Sequence, residues 1–231
     1  MQHAKVFIAA AICVVASAAA VADDGPVDDG ATSQRSFADV DRWQRIFDDP
    51  ERDAWQKPAA LVDALALPRG GTVAEIGAGT GYLLRYLAAA VGDAGTVLLA
   101  DIEPNLIAHL RSRAEEEGAR QVVPILASPD DPRLPRGTVD VVLFLDTYHH
   151  IDERIDYMRR LGATLRDGGR IVVVDWYKRE LPVGPPADHK LSREQVLDEM
   201  QRAGYAFAGT PLSLPYHYVL VFRPNDASEA P

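Results

Sequence analysis

The chain has 231 residues, enough for one α/β domain with a sizeable core and little else. Its hydrophobic content of 47% and charged content of 25% are ordinary for a globular protein. A formal net charge of -10 argues against a nucleic-acid backbone or an anionic membrane surface as partner.

In chain order, residues 1–22 read as a secretory signal peptide. Lys5 supplies the positive start, Val6 to Val15 is an apolar run, and Ala20-Val21-Ala22 is a small-residue cleavage site. The apolar part is short for a membrane span, so cleavage before Asp23 is expected, with no stable membrane insertion afterwards. Cys13 is the only cysteine, so the mature chain would carry no disulfide and no thiol, which suits an oxidising compartment. Residues 23–36 are polar, with Gly25, Pro26 and Gly30, and read as a disordered linker. Order is expected from Phe37. Val40, Trp43, Ile46 and Phe47 have helical spacing up to Pro50, and a second helix runs from about Pro58 to Leu67 with Leu61, Val62 and Leu65 on its apolar face. Residues 37–71 thus form an N-terminal helical cap.

Thr72 to Ile76 reads as a short buried strand, followed by Gly77-Ala78-Gly79-Thr80-Gly81 and a helical stripe of Leu83, Leu84 and Leu87. Glycine permits a tight strand-to-helix turn and close approach of a ligand to the backbone. The helix start that follows points free N–H groups at such a ligand. Strands at Thr96–Ala100, Val122–Leu126, Val139–Leu145 and Ile171–Val174 alternate with helices at Pro104–Glu117, Glu153–Leu165 and Ser192–Ala203. Asp167-Gly168-Gly169 turns into the fifth strand. Tyr205–Ala208 and Tyr216–Phe222 read as a closing pair, which completes a mostly parallel seven-stranded sheet covered on both faces. Ligands of such sheets sit at the carboxyl ends of the strands.

Glu75-Ile76-Gly77-Ala78-Gly79-Thr80-Gly81 resembles motif I of the class I S-adenosylmethionine (SAM)-dependent methyltransferases, and Val139 to Ile151 resembles their motif IV. Asp101, at the end of the second strand, matches the acidic residue that binds the SAM ribose in that family. The resemblance implies a Rossmann-like class I fold over residues 72–224, with residues 225–231 as a flexible tail. It implies SAM as cofactor, with Glu75, Gly77, Gly79, Thr80 and Gly81 holding its methionine part. Ser128, Asp130 and Asp131 are candidates for the adenine amino group, with Asp130 preferred. The reaction implied is methyl transfer to a small-molecule nucleophile.

Asp146 is the first polar residue after the most apolar strand, so it and Tyr148, His149 and His150 are the expected catalytic group. His149 is the expected base, because a neutral histidine accepts a proton near pH 7, and Tyr148 is expected to line the acceptor pocket. No metal is expected. The metal reading weighed against this one gathers Asp146, His149, His150 and Asp175, but Trp176 follows Asp175 where the magnesium-dependent catechol type has asparagine. Arg52, Trp55, Gln56 and Lys57 are placed to reach the SAM carboxylate. The Asp-Thr-Tyr-His-His segment is similar to that of exported bacterial methyltransferase-like proteins, which with the signal peptide implies a periplasmic location. Two rivals stand beside this reading. One is a non-catalytic exported protein that binds SAM, S-adenosylhomocysteine or a nucleoside. The other is a nicotinamide-dependent oxidoreductase, against which the glycine spacing counts.

Overall fold

In the computed structural model the described residues are Phe37 and residues 39–225. The expected signal peptide, the linker and nearly all of the tail lie outside them. The described chain opens with α1 (Val40–Phe47), α2 (Arg52–Gln56) and α3 (Pro58–Ala64), then alternates strand and helix. The strands are β1 (Thr72–Ile76), β2 (Thr96–Asp101), β3 (Val122–Leu126), β4 (Val139–Leu145), β5 (Leu165–Trp176), β6 (Tyr205–Gly209) and β7 (His217–Pro224). The remaining helices are α4 (Leu84–Val91), α5 (Pro104–Glu116), α6 (Arg154–Leu161) and α7 (Arg193–Arg202). The sheet order is β3-β2-β1-β4-β5-β7-β6. β1 to β5 pair in parallel, whereas β7 pairs antiparallel with both β5 and β6. The order reverses at β1, where β2 lies on one side and β4 on the other, so the C-terminal ends of β1, β2 and β4 frame a crevice.

The sheet divides the core into two apolar layers. Val73, Leu99, Val141, Leu143, Val172 and Val174 point to one layer with Leu61, Leu84, Leu87, Ile107 and Leu110. Ala74, Leu98, Val142, Phe144 and Val173 point to the other with Met158, Leu161, Val196 and Met200. Alternation between two buried layers explains why β4 is almost wholly apolar rather than alternating with polar residues.

Three local differences from the sequence reading have physical causes. Residues Arg52–Gln56 form a separate short helix, because Lys57 adopts a left-handed conformation (φ 49°) that ends it and lets Pro58 start α3. Ile46 is 51% exposed, because Trp43 and Phe47 take the buried side of α1. Residues 166–169 do turn, but as a bulge inside β5: Val139 pairs with Leu165 and Val141 with Arg170. Ser192 caps α7 as expected, accepting from the Gln195 N–H. Among the described residues no helix is long and apolar enough to cross a membrane.

Candidate functional site

All three loop glycines have positive φ, at 69°, 56° and 83° for Gly77, Gly79 and Gly81, yet they serve different ends. A Cβ on Gly77 would meet the Thr147 side chain at 2.4 Å, so this glycine lets the loop dock on the chain leaving β4. A Cβ on Gly81 would meet Leu110 at 2.7 Å, so this one lets α5 pack close. A Cβ on Gly79 would meet only the Phe47 ring, at 3.4 Å. Gly79 therefore faces the crevice, with α1 covering its open side. Its N–H donates to Asp101 Oδ2 at 2.9 Å, while Asp101 Oδ1 accepts from the Glu103 N–H. Burial pushes the Asp101 carboxyl up, against the pull of these backbone donors. Thr80 is buried and donates to Asp48 Oδ1, and Arg113 reaches both Asp48 Oδ2 (2.7 Å) and the Thr80 carbonyl (2.8 Å). The loop, α5 and the end of α1 are thereby latched together.

Beside the loop, at the ends of β1 and β4, lies a buried polar cluster. Arg52 from α2 donates to Asp146 Oδ2 at 2.9 Å and to the Phe47 carbonyl at 3.0 Å, with its guanidinium 4.2 Å from the Tyr82 ring centroid. Gln56, one turn on, is fully buried, and its Oε1 lies 3.4 Å from the Arg52 guanidinium. Asp146 has φ 56°, a left-handed turn that aims its carboxylate back at the cluster. His217 Nε2 meets Asp146 Oδ1 at 2.7 Å, though off the line of a hydrogen bond. Burial raises the Asp146 carboxyl, but His217, Arg52 and His149 outweigh it and the net direction is down. Glu75 goes the other way. Burial pushes it up to about 8, more than Arg52 pulls it down.

Among the described residues, the buried side-chain nitrogens and oxygens without a hydrogen-bond partner concentrate here. They are Arg52 Nε, Gln56 Nε2, Glu75 Oε2, Asp146 Oδ1 and both His217 ring nitrogens, with only His109 Nε2 elsewhere. Each such group costs about 1–3 kcal/mol unless something pairs it, so a cluster of them marks a binding site. Two donors stand with the carboxyl groups of Glu75 and Asp146, a set that complements a zwitterionic amino acid once Glu75 is ionised.

His149 sits next to this cluster on the chain after β4. Its Nδ1 lies 2.8 Å from Asp175 Oδ1 and 3.0 Å from Oδ2, and its own N–H donates to Oδ2 at 3.2 Å. The Trp176 N–H also donates to Asp175, whose carboxylate is wholly buried. Burial lowers His149, but Asp175 and then Asp146 raise it, and the net direction is up. His150 lies against His149 at 4.1 Å between centroids and meets Phe37 edge-on at 5.7 Å, under the cap.

The structure thus brings Glu75, Gly77, Gly79, Thr80, Gly81, Asp101, Asp146, His149 and His150 to one end of the sheet. Two expected residues are elsewhere. Tyr148 is fully buried in the opposite layer, packed edge-on against Phe144, with its hydroxyl donating to Glu199 Oε2 at 3.1 Å. It does not line a pocket, because the three-residue 3-10 turn Tyr148–His150 points consecutive side chains in different directions. Asp130 is exposed in a turn closed by the Ser128–Asp131 bridge, where its backbone carbonyl accepts from Arg160. Nor do the four weighed metal ligands converge: Asp146 pairs with Arg52 and His217, while Asp175 pairs with His149. Among the described residues no group of three or more His, Cys, Asp or Glu is placed to hold a metal. Sequence reasoning missed His217, whose only signal was its place at the start of the last strand.

The residues fit SAM. The glycine whose Cβ would fill the crevice, the carboxylate at the end of β2 and the zwitterion-matching cluster are the parts such a cofactor needs. Comparison with known proteins agrees. Residues 74–171 match the family described as a methyltransferase domain. The ubiquinone/menaquinone biosynthesis C-methyltransferase UbiE of Ectopseudomonas mendocina is 31% identical over 115 residues, 49% of this chain and 45% of that protein. The chain spans about half the length of the curated relatives it matches. A SAM-dependent methyltransferase from Aquifex aeolicus superposes with a TM-score of 0.75 at 23% identity, covering 82% of this chain and 98% of that one. The [4+2]-cyclase SpnF shares the fold at a TM-score of 0.61 and 16% identity, covering 72% and 80%, so the fold alone does not fix the chemistry. The motif I loop, the seven-stranded sheet closed by an antiparallel β7 and these matches together give the chain the Rossmann-like class I methyltransferase fold, with residues 74–171 similar to a methyltransferase domain.

Proposed function

We propose that the protein is a SAM-dependent methyltransferase acting on a small-molecule nucleophile. The observation that carries this is the cluster of unpartnered buried groups on Arg52, Gln56, Glu75 and Asp146 beside the glycine loop. In this reading Arg52 Nε and Gln56 Nε2 donate to the α-carboxylate, and Glu75 and Asp146 accept from the α-ammonium. Gly79 lets the backbone come close to the ligand, and the Asp101 carboxylate, already oriented by two backbone donors, offers its remaining lone pairs to the ribose hydroxyls. Bound SAM supplies a sulfonium methyl that is open to in-line attack. The protein's contribution is alignment, exclusion of water by α1 and α2, and removal of one proton from the acceptor. A small-molecule acceptor accords with the curated relatives, which are named for ubiquinone and menaquinone biosynthesis.

Export to the periplasm is part of the proposal and rests on Lys5, the apolar run and Ala20-Val21-Ala22. Isothermal titration of the mature protein with SAM, S-adenosylhomocysteine and NAD tests the cofactor reading. Binding of the first two and not the third is expected. Binding of NAD alone would overturn it, and SAM binding without turnover on any acceptor would favour a binding protein.

A further inference from the structure

His217 is the buried titratable residue that the alignment of cofactor and loop leaves without a task. It has no exposed surface; its Nε2 lies 2.7 Å from Asp146 Oδ1, and its Nδ1 has no hydrogen-bond partner. It is placed by the antiparallel register that sets His217 opposite Trp176, across the β5–β7 pair. Its ring lies 4.0 Å from Trp176 between centroids and is stacked 5.7 Å from Trp55 with an interplanar angle of 11°. Trp55 also meets Trp176 at 5.5 Å and Tyr216 at 5.7 Å. Trp55 and Tyr216 are only half-buried, so this aromatic wall reaches from the surface to the Asp146 carboxylate.

The contact with Asp146 sets the tautomer. Two lone pairs 2.7 Å apart repel, so the proton of neutral His217 belongs on Nε2, towards Asp146 Oδ1. That leaves Nδ1 as a buried lone pair with no protein partner. Arg52 holds the other Asp146 oxygen, so the carboxylate is fixed from both sides. His149 differs, because both oxygens of a wholly buried carboxylate lie within 3.0 Å of its Nδ1 and favour its protonated form.

We propose that Trp55, Trp176, Tyr216 and His217 form the acceptor subsite, that it takes a planar aromatic ring bearing an ionisable O–H, and that His217 Nδ1 receives the proton. This rests on the methyl-transfer reading for its chemistry. The acceptor's O–H bond breaks and its proton passes to Nδ1. The oxygen lone pair forms the bond to the methyl carbon, and the sulfur–methyl electron pair stays on sulfur, leaving neutral S-adenosylhomocysteine. Asp146 stabilises the imidazolium that forms, and Asp146 is a positioning residue in this step. Stacking on Trp55 selects a flat acceptor, because a ring offers its whole face to the indole where a flexible chain does not.

The probe is 2-naphthol, titrated into the mature protein without cofactor and again with S-adenosylhomocysteine bound. Tryptophan fluorescence reports occupancy of the wall, and NMR of the His217 ring proton reports contact with the ring. Naphthol is expected to quench fluorescence saturably and to shift the His217 resonance. His217→Gln and Tyr216→Leu are each expected to weaken naphthol binding at least tenfold, and Tyr216→Leu, which lies outside the cofactor cluster, is expected to leave the S-adenosylhomocysteine Kd within about twofold. Tyr216 lies before the strand and is half-buried, so its variant keeps the test open should His217→Gln not fold. Unchanged naphthol binding in both variants, or a His217 resonance that naphthol does not move, overturns the subsite. Failure of S-adenosylhomocysteine to bind wild type overturns the methyl-transfer reading instead, and the naphthol titration of the cofactor-free protein still judges the wall.

Discussion

Glu75→Gln is the most informative single change, because Glu75 is asked to be neutral without ligand and charged with it. The carboxyl is buried beside Arg52 and is pushed from its ordinary 4.5 up to about 8. At pH 7 the protonated form then predominates. The sign for stability follows from which state lets go first. The unfolded chain loses this proton near 4.5 and the folded one near 8, so stability falls as pH rises between those values. The displacement corresponds to roughly 5 kcal/mol at most across that window. Gln has the same shape and does not ionise, so Glu75→Gln should flatten this part of the stability–pH curve, read by urea unfolding from pH 4.5 to 8. When the ligand's ammonium arrives beside Glu75, the charged form becomes favoured and the proton leaves. Calorimetric titration with S-adenosylhomocysteine at pH 7, in two buffers of different ionisation enthalpy, should show net proton release in wild type and almost none in Glu75→Gln. Equal proton release in the two proteins, together with identical stability–pH curves, would refute the assignment of Glu75 to the ammonium.

The other predictions concern the loop, the second histidine and the N-terminus. Gly79→Val should abolish SAM binding, because Gly79 has φ 56° and its open side faces the crevice, and Asp101→Ala should weaken binding by roughly 1–3 kcal/mol; calorimetry checks both, and wild-type affinity in Asp101→Ala would remove the ribose role. Asp175→Asn should destabilise by about 3–5 kcal/mol near pH 5–6, since it strips the partner from a buried histidinium. His149 is raised in the folded state, so that stabilisation is full below its ordinary value near 6.5 and fades as pH rises through the folded value; thermal unfolding of both proteins at pH 5.5 and 9 should show the gap narrowing, and a constant gap would contradict the charged pair. N-terminal sequencing of the protein from its native host should read from Asp23, and an intact Met1 on a cytoplasmic protein would contradict export.

Much of this architecture was legible because it rests on local pattern. Apolar runs such as Val139–Leu145 have few alternatives to a buried parallel strand, and Gly77, Gly79 and Gly81 announce a tight turn whatever follows. The residues at the strand ends were legible for the same reason: Asp101 and Asp146 are where apolar runs stop. What escaped depended on pairing between distant segments. His217 enters the site only because β7 runs antiparallel beside β5 in one particular register, and nothing local to Tyr216-His217 encodes that. Tyr148 does not line the acceptor pocket because a 3-10 turn points it away from His149, and Glu199 on α7 accepts from its hydroxyl. Arg52 and Gln56 carried the right chemistry in the sequence, but their one-turn spacing had meaning only once α2 proved to be a helix.

The central claim is that the buried cluster of Arg52, Gln56, Glu75 and Asp146 receives the amino-acid end of the cofactor. Comparing the calorimetric affinities of S-adenosylhomocysteine and 5′-methylthioadenosine, which lacks that end, tests it most directly. S-adenosylhomocysteine should bind more tightly by about 2–4 kcal/mol, as several charge-assisted hydrogen bonds imply. Arg52→Leu should erase most of that difference while leaving methylthioadenosine binding nearly unchanged. Equal affinities for the two ligands in wild type would contradict the account.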